Sequence, residues 1–332
     1  MKKNNSPKDI LDKIKISKRI LISLHDGPDG DSLGSCAAMK YFLERDLKIK
    51  VDLISRDKLK DSFRLFDFYK EVKEGKRIDG VNLSQYDIII FMDFGDLKYY
   101  SEKDKLDIKG KFVINIDHHE TNTYFGDLNY VDKTRPSDCS ILLDLFRGWK
   151  IKFDKELSTR LLLGVYTDSD LFSLSKDALE DAVFLNKNGA DYLKIVNIIK
   201  YSVPLKIKKY FSLLIDNFRV ENFEEYIVGV CGVSKKQVED LGLNLSEARS
   251  APNYLQEIGG LDFLFVLTEM SDFLKGSFRS RKNINVSLFA KELGGGGHAL
   301  AAAFYLPLMS IKEAEKRVFD AIKKVGIHKI NC

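Results

Sequence analysis

Asp117, His118 and His119 follow directly on the apolar run 112–116, so a carboxylate and two imidazoles stand where a buried strand ends. Open α/β sheets place their chemistry at such strand ends. Alone, the triplet reads equally well as a polar loop; its weight comes from company. His25, Asp29 and Asp31 follow the apolar stretch 19–24, Asp93 follows 87–92, and Asp168 closes a helical pattern. Of five histidines in the chain, three fall in two of these loops. Carboxylates and imidazoles gathered in one crevice repel one another unless cations neutralise them. Oxygen and imidazole donors without thiolate favour Mn²⁺ or Mg²⁺, with zinc next, over softer metals. Asp26, Asp96, Asp138 and Asp170 lie near the same motifs and read as caps or solvated loop charges, outside the ligand set.

A second group of chemically suggestive residues lies far along the chain. Ser277-Phe278-Arg279-Ser280-Arg281 sets two arginines two residues apart, on one face if the segment is a strand. Forked guanidinium groups suit phosphate oxygens, although a solvated basic strand would look the same. The run Gly294-Gly295-Gly296-Gly297-His298 is embedded between apolar segments, where flexible linkers are seldom found. Missing Cβ atoms let backbone N–H groups converge on an anion, and that is the preferred reading of the glycines.

The elements that must position these residues alternate. Strand patterns at 19–24, 50–55, 87–92 and 112–116 are interleaved with the helical pattern 32–45 and followed by those at 137–147, 155–166, 177–187 and 192–201. Strand, loop, helix, strand is the order of a parallel βαβ unit. Ser32 and Ser35 fit the start of the first helix. From about residue 206 the rhythm changes to strands at 226–231 and 262–269, then the basic 277–281, the glycines and a closing helix at 311–325. Two domains are expected: 1–188, a linker at 189–213, and a smaller α/β domain at 214–332. With 332 residues, 44% apolar and 31% charged, the chain can support two cores. Its net charge of +4, from 53 basic and 49 acidic residues, gives no broad footprint for long duplex nucleic acid. The four cysteines lack Cys-x-x-Cys spacing, against a zinc knuckle or disulfide framework. With neither a signal peptide nor an apolar run of membrane-spanning length, the expected location is cytoplasmic.

In these motifs the chain resembles the DHH phosphoesterase superfamily, over about residues 18–305: His25-x-x-x-Asp29-x-Asp31, then Asp93, then Asp117-His118-His119, then Asp168. The arginine-bearing strand with Gly-Gly-Gly-Gly-His is similar to a DHHA1 domain, and the two-domain layout to the nanoRNase and pAp-phosphatase branch. The resemblance implies a parallel-sheet DHH domain, a smaller α/β DHHA1 domain and an active site in the interdomain cleft. It implies two divalent ions, Mn²⁺ before Mg²⁺, one on His25, Asp29 and Asp93 and the other on Asp31, Asp93, His118 and Asp168. Asp117 would orient an imidazole, and His119 would face the substrate phosphate, which a metal-bridging hydroxide attacks. Arg279, Arg281, Gly295, Gly296, Gly297 and His298 would bind the nucleotide. The implied substrates are short oligoribonucleotides, linear dinucleotides such as pApA, and adenosine 3′,5′-bisphosphate (pAp). A homodimer is expected on the same ground, and no membrane partner. The alternatives are an inorganic pyrophosphatase or polyphosphatase, or a nucleotide-binding sensor without turnover. One departure stands out: Ala303 occupies a position where the family commonly has glycine.

Overall fold

The computed structural model describes residues 4–97, 108, 110–169, 171–172, 175–243, 245–248, 250–280 and 283–330. The chain forms two units, Met1–Ser202 and Val203–Cys332, and the division falls within the stretch 189–213. That stretch is largely helical, ending in the first turns of the second unit's first helix.

The first unit is built on six parallel strands: β1 (Arg19–Ser23), β2 (Lys50–Ser55), β3 (Val72–Glu74), β4 (Ile88–Met92), β5 (Phe112–Asp117) and β6 (Leu128–Val131). They run in the order β3-β2-β1-β4-β5-β6. The chain therefore winds outward from β1 in one direction and from β4 in the other, making the β1/β4 pair the switch point at which a doubly wound sheet opens a crevice. All five residues of β4 are buried, as an uninterrupted apolar strand covered on both faces must be. The edge strands β3 and β6 were not anticipated. They have three and four residues and lack a long apolar run. Asn4 and Asn5 cover the β6 edge, the side chain of Asn4 pairing with both backbone groups of Val131 at 2.7 Å.

Around this sheet lie α1 (Pro7–Lys15), α2 (Gly30–Asp46), α3 (Asp138–Gly148), α4 (Lys155–Asp168), α5 (Lys176–Lys187) and α6 (Tyr192–Val196). Asp29, rather than Ser32, caps α2, its Oδ1 accepting from the backbone N–H groups of Asp31 and Ser32 at 3.0 Å. Helices α2 and α4 meet through glycines. A Cβ on Gly34 would lie 2.6 Å from the Arg160 carbonyl oxygen, and one on Gly164 would lie 2.3 Å from both Asp31 Oδ1 and Cys139 Sγ. This close approach brings the first turn of α2 beside the last turn of α4.

The second unit holds α7 (Leu205–Asn217), β7 (Phe218–Phe223), β8 (Tyr226–Val233), α8 (Lys235–Asp240), α9 (Leu245–Ala248), α10 (Ala251–Leu255), β9 (Phe263–Glu269), β10 (Phe273–Ser280), α11 (Ser287–Glu292), β11 (Gly296–His298), β12 (Ala301–Pro307) and α12 (Ile311–Val325). Its sheet runs β11-β12-β10-β9-β8-β7, antiparallel except between β8 and β9. One face packs Phe265, Phe278 and Phe304 against α11 and α12, and the other packs Leu264 and Val266 against α7 and α10. Cys36, Cys139 and Cys231 are buried free thiols. No helix among the described residues is long and apolar enough to cross a membrane.

Candidate functional site

The loops after β1, β4 and β5 and the end of α4 deliver their acids and imidazoles to one place in the first unit. His25 Nε2 lies 3.1 Å from Asp93 Oδ2 and 3.8 Å from Asp29 Oδ1. His118 Nε2 lies 3.5 Å from both Asp93 Oδ1 and Asp168 Oδ2. Single donor atoms of His25, Asp29 and Asp93 fall within 4.8 Å of one another, as do those of Asp31, His118 and Asp168. Both sets have the geometry to hold a metal ion. Asp93 stands between them because it leaves β4 with φ of +57°, a left-handed conformation that aspartate tolerates better than most side chains. The same turn keeps its N–H bonded to the Ile116 carbonyl at 3.1 Å.

The supporting residues show what sequence reading missed. Asp117 is fully buried, and its two oxygens accept from His119 Nδ1 at 2.7 Å and from the Asn122 amide at 2.6 Å. Asn122 also donates to Asn115 Oδ1 at 2.8 Å, tying the loop after β5 to the strand itself. Neither asparagine carried a sequence signal, since each reads as an ordinary polar residue. Asp31 accepts from the backbone N–H groups of Asp138 at 2.6 Å and Cys139 at 3.0 Å, so the start of α3 holds its carboxylate. Asp138 corrects its expected role as a cap or solvated charge: Ser137 is the cap, while Asp138 is fully buried with neither carboxylate oxygen hydrogen-bonded.

Electrostatics record the crowding. Burial pushes the Asp31 carboxyl well above its ordinary range, and Asp93 and Asp168 push it further. Burial likewise raises Asp168, to about 6, with Asp29 and Asp93 adding to the rise and His118 opposing it. Asp138 is also raised by burial and by Asp31, Asp93 and Asp117. For Asp93 the balance inverts, since hydrogen bonds from His118 and His25 outweigh burial and hold it far below the usual carboxylate range. Burial alone would lower His25 and His118, but the surrounding aspartates raise both. Hard oxygen and imidazole donors crowded until some carboxyls resist ionisation fit a divalent cation, which relieves that repulsion.

In the second unit, Arg279, Ala301 and His298 pair in register across β10, β12 and β11. Directly opposed residues project from one face, so Arg279 and His298 flank the small Ala301, two strand spacings of about 4.8 Å each apart. Asn253 on α10 accepts at Oδ1 from Arg279 Nε at 3.1 Å and Nη2 at 2.8 Å, and the Phe278 carbonyl accepts from Nη1 at 2.8 Å. All three guanidinium nitrogens of Arg279 are thus tied to protein oxygens. Arg281 lies outside the described residues. The glycines have a packing role as well: a Cβ on Gly295 would meet the Ala303 carbonyl oxygen at 2.1 Å, and Gly297, at φ +139°, presses on Ala301 and Ala302. Ala303 stands opposite Gly296 in the same ladder.

A switch-point crevice that gathers His25, Asp29, Asp31, Asp93, His118 and Asp168 defines an α/β fold with donor sets that could hold metal ions, and the chain belongs to the DHH phosphoesterase family. The model of the DHH family, N-terminal domain, matches residues 19–165, and that of the DHHA1 domain matches 225–324. Among relatives, the bifunctional oligoribonuclease and PAP phosphatase NrnA of Thermus thermophilus is 27% identical over 216 residues, 64% of each chain. The cyclic-di-AMP phosphodiesterase PdeA of Listeria monocytogenes is 26% identical over 92% of this chain, which spans only 47% of that protein. An exopolyphosphatase-related protein from Bacteroides fragilis shares the fold, with a TM-score of 0.81 at 20% identity, covering 96% of this chain and 95% of its own.

Proposed function

We propose that this chain is a phosphoesterase, dependent on two divalent ions and served best by Mn²⁺, then Mg²⁺. It hydrolyses short oligoribonucleotides and linear dinucleotides such as pApA to mononucleotides and removes the 3′-phosphate of pAp. One observation carries the reading: two adjoining donor sets, His25/Asp29/Asp93 and Asp31/His118/Asp168, share Asp93 as their common neighbour. Bound cations would supply Lewis-acid polarisation of phosphoryl oxygens and a water of lowered pKa.

The chain's own residues do the rest. Asp93 offers one oxygen toward each histidine and serves both sets. Asp117 fixes the Nδ1 side of His119, orienting that ring toward the substrate phosphate. Residues 1–188 provide this hydrolytic machinery and 214–332 the substrate grip, through Arg279, Arg281, His298 and the backbone of Gly295–Gly297. Contacts confined to a phosphate and its neighbours favour short substrates. The relatives named above support this choice, being described as acting on oligoribonucleotides, PAP and a cyclic dinucleotide. A panel of pApA, two- to five-residue RNA, pAp, pyrophosphate and long single-stranded DNA, assayed with Mn²⁺, tests it. Turnover of the first three above the last two is expected; preference for pyrophosphate, or no turnover of the first three, would overturn it.

A further inference from the structure

The loop that carries His25 and Asp29 is gripped from the side by the end of β2. Arg56 Nη1 reaches Asp26 Oδ2 at 2.7 Å, and Asp57 Oδ2 accepts from the Gly27 N–H at 2.7 Å. Asp57 is itself tied down, its carbonyl accepting from Ser55 Oγ at 2.6 Å. Between these two grips lies the peptide that matters: the Asp26 carbonyl accepts from His25 Nδ1 at 2.9 Å. That bond selects the tautomer with Nδ1 protonated and presents Nε2 to Asp29 and Asp93.

We propose that Arg56 and Asp57 are positioning residues for one of the two metal sites, that of His25, Asp29 and Asp93. They hold the Asp26-Gly27 peptide so that its carbonyl orients the His25 ring. The inference rests on the donor sets proposed above as metal sites, and it concerns residues that neither set contains. The clamp reaches only the loop after β1. Asp31 is held by the start of α3, His118 directly follows β5 and Asp168 ends α4, so the second site stays outside its influence.

Charge and clamp make opposite predictions, which separates them. Removing a cation beside a metal site strengthens metal binding if only electrostatics act, and Arg56→Ala would then bind Mn²⁺ more tightly. The clamp predicts looser binding. Asp57→Asn removes a negative charge but keeps an oxygen for the Gly27 N–H, so charge alone predicts weakening and the clamp predicts none.

The test is calorimetric titration of the full chain with Mn²⁺, with thermal melting to confirm that each variant is folded. Arg56→Ala and Asp57→Ala are expected to lose about 10- to 100-fold at one of two sites, the range found when groups behind a metal ligand are removed. Asp57→Asn should stay within about twofold of the parent. In a His25→Ala background, Asp57→Ala should add nothing, because both changes act through one ring. Parent-like affinity in Arg56→Ala and Asp57→Ala, equal weakening of both sites, or a full additional loss in the double variant would overturn the clamp. If the parent binds no Mn²⁺, the donor-set reading itself falls and takes the clamp with it. If it binds two ions and the clamp variants are silent, only the clamp falls.

Discussion

The first unit gathers its polar residues against physical resistance, whereas the second lays them out at little expense. His25, Asp29, Asp31, Asp93, His118 and Asp168 come from four separate element ends and meet where several are buried, with Asp31 and Asp168 resisting ionisation. Arg279 and His298 stand in one row of a sheet, half-buried, with Ala301 between them. A fold keeps a costly cluster only if something offsets the repulsion, and a cation does so. A row of half-buried arginine and histidine side chains needs no such compensation and offers hydrogen-bond donors suited to meeting an anion. On this account the first unit sets whether hydrolysis happens and the second sets what is held.

Substitutions should separate these two roles. The largest effect is expected from Asp93→Ala, which removes the residue common to both donor sets. Steady-state kinetics should show kcat/KM reduced by at least about 10³-fold, about 4 kcal/mol of transition-state stabilisation, with metal stoichiometry reduced as well. Arg279→Ala should raise KM for pApA about 10- to 100-fold, the scale of a hydrogen bond to a charged group, while Mn²⁺ affinity stays unchanged. Loss of metal by that variant would erase the distinction between the units.

The cost of the cluster should also be visible without substrate. Asp31, Asp138 and Asp168 have folded-state pKa values above their unfolded ones, as do His25 and His118. Such groups stabilise the fold below the unfolded pKa and lose that contribution as pH rises through the folded value. For Asp168 the window runs from the ordinary carboxylate range to about 6, and for the histidines it lies above their ordinary range. Metal-free protein should therefore melt at a lower temperature at pH 8 than at pH 6, and Mn²⁺ should reverse the order. Asp138→Asn should raise the melting temperature of metal-free protein at pH 8, because it removes the buried ionisable carboxyl that Asp31, Asp93 and Asp117 repel.

The sequence motifs led to the first unit's ring because each ligand follows a recognisable apolar strand or helix, so the strand ends alone imply a meeting point. The edge strands β3 and β6 were too short to announce themselves. Asn115, Asn122, Asn253 and the Arg56–Asp57 pair were invisible for another reason: their roles arise from contacts between distant segments, and local pattern is silent about those. Asp138 misled because an acid at a helix start usually caps it; here the neighbouring Ser137 does so, and the carboxyl turns into the core. The glycine run reads in sequence as an anion cradle, and the structure adds that Gly295 and Gly297 lie against β12 backbone. The smallest predicted effect belongs there. Ala303→Gly should destabilise by about 0.5–1 kcal/mol through strand entropy alone and leave kcat/KM within about twofold.

The central claim is that one carboxylate, Asp93, organises two adjoining metal sites in the first unit. A crystal structure of the Mn²⁺-loaded protein, with anomalous scattering recorded at the manganese edge, tests it most directly. Two peaks are predicted, one bounded by His25, Asp29 and Asp93 and the other by Asp31, His118, Asp168 and the same Asp93. A single peak, or peaks that leave Asp93 without an ion, would contradict it.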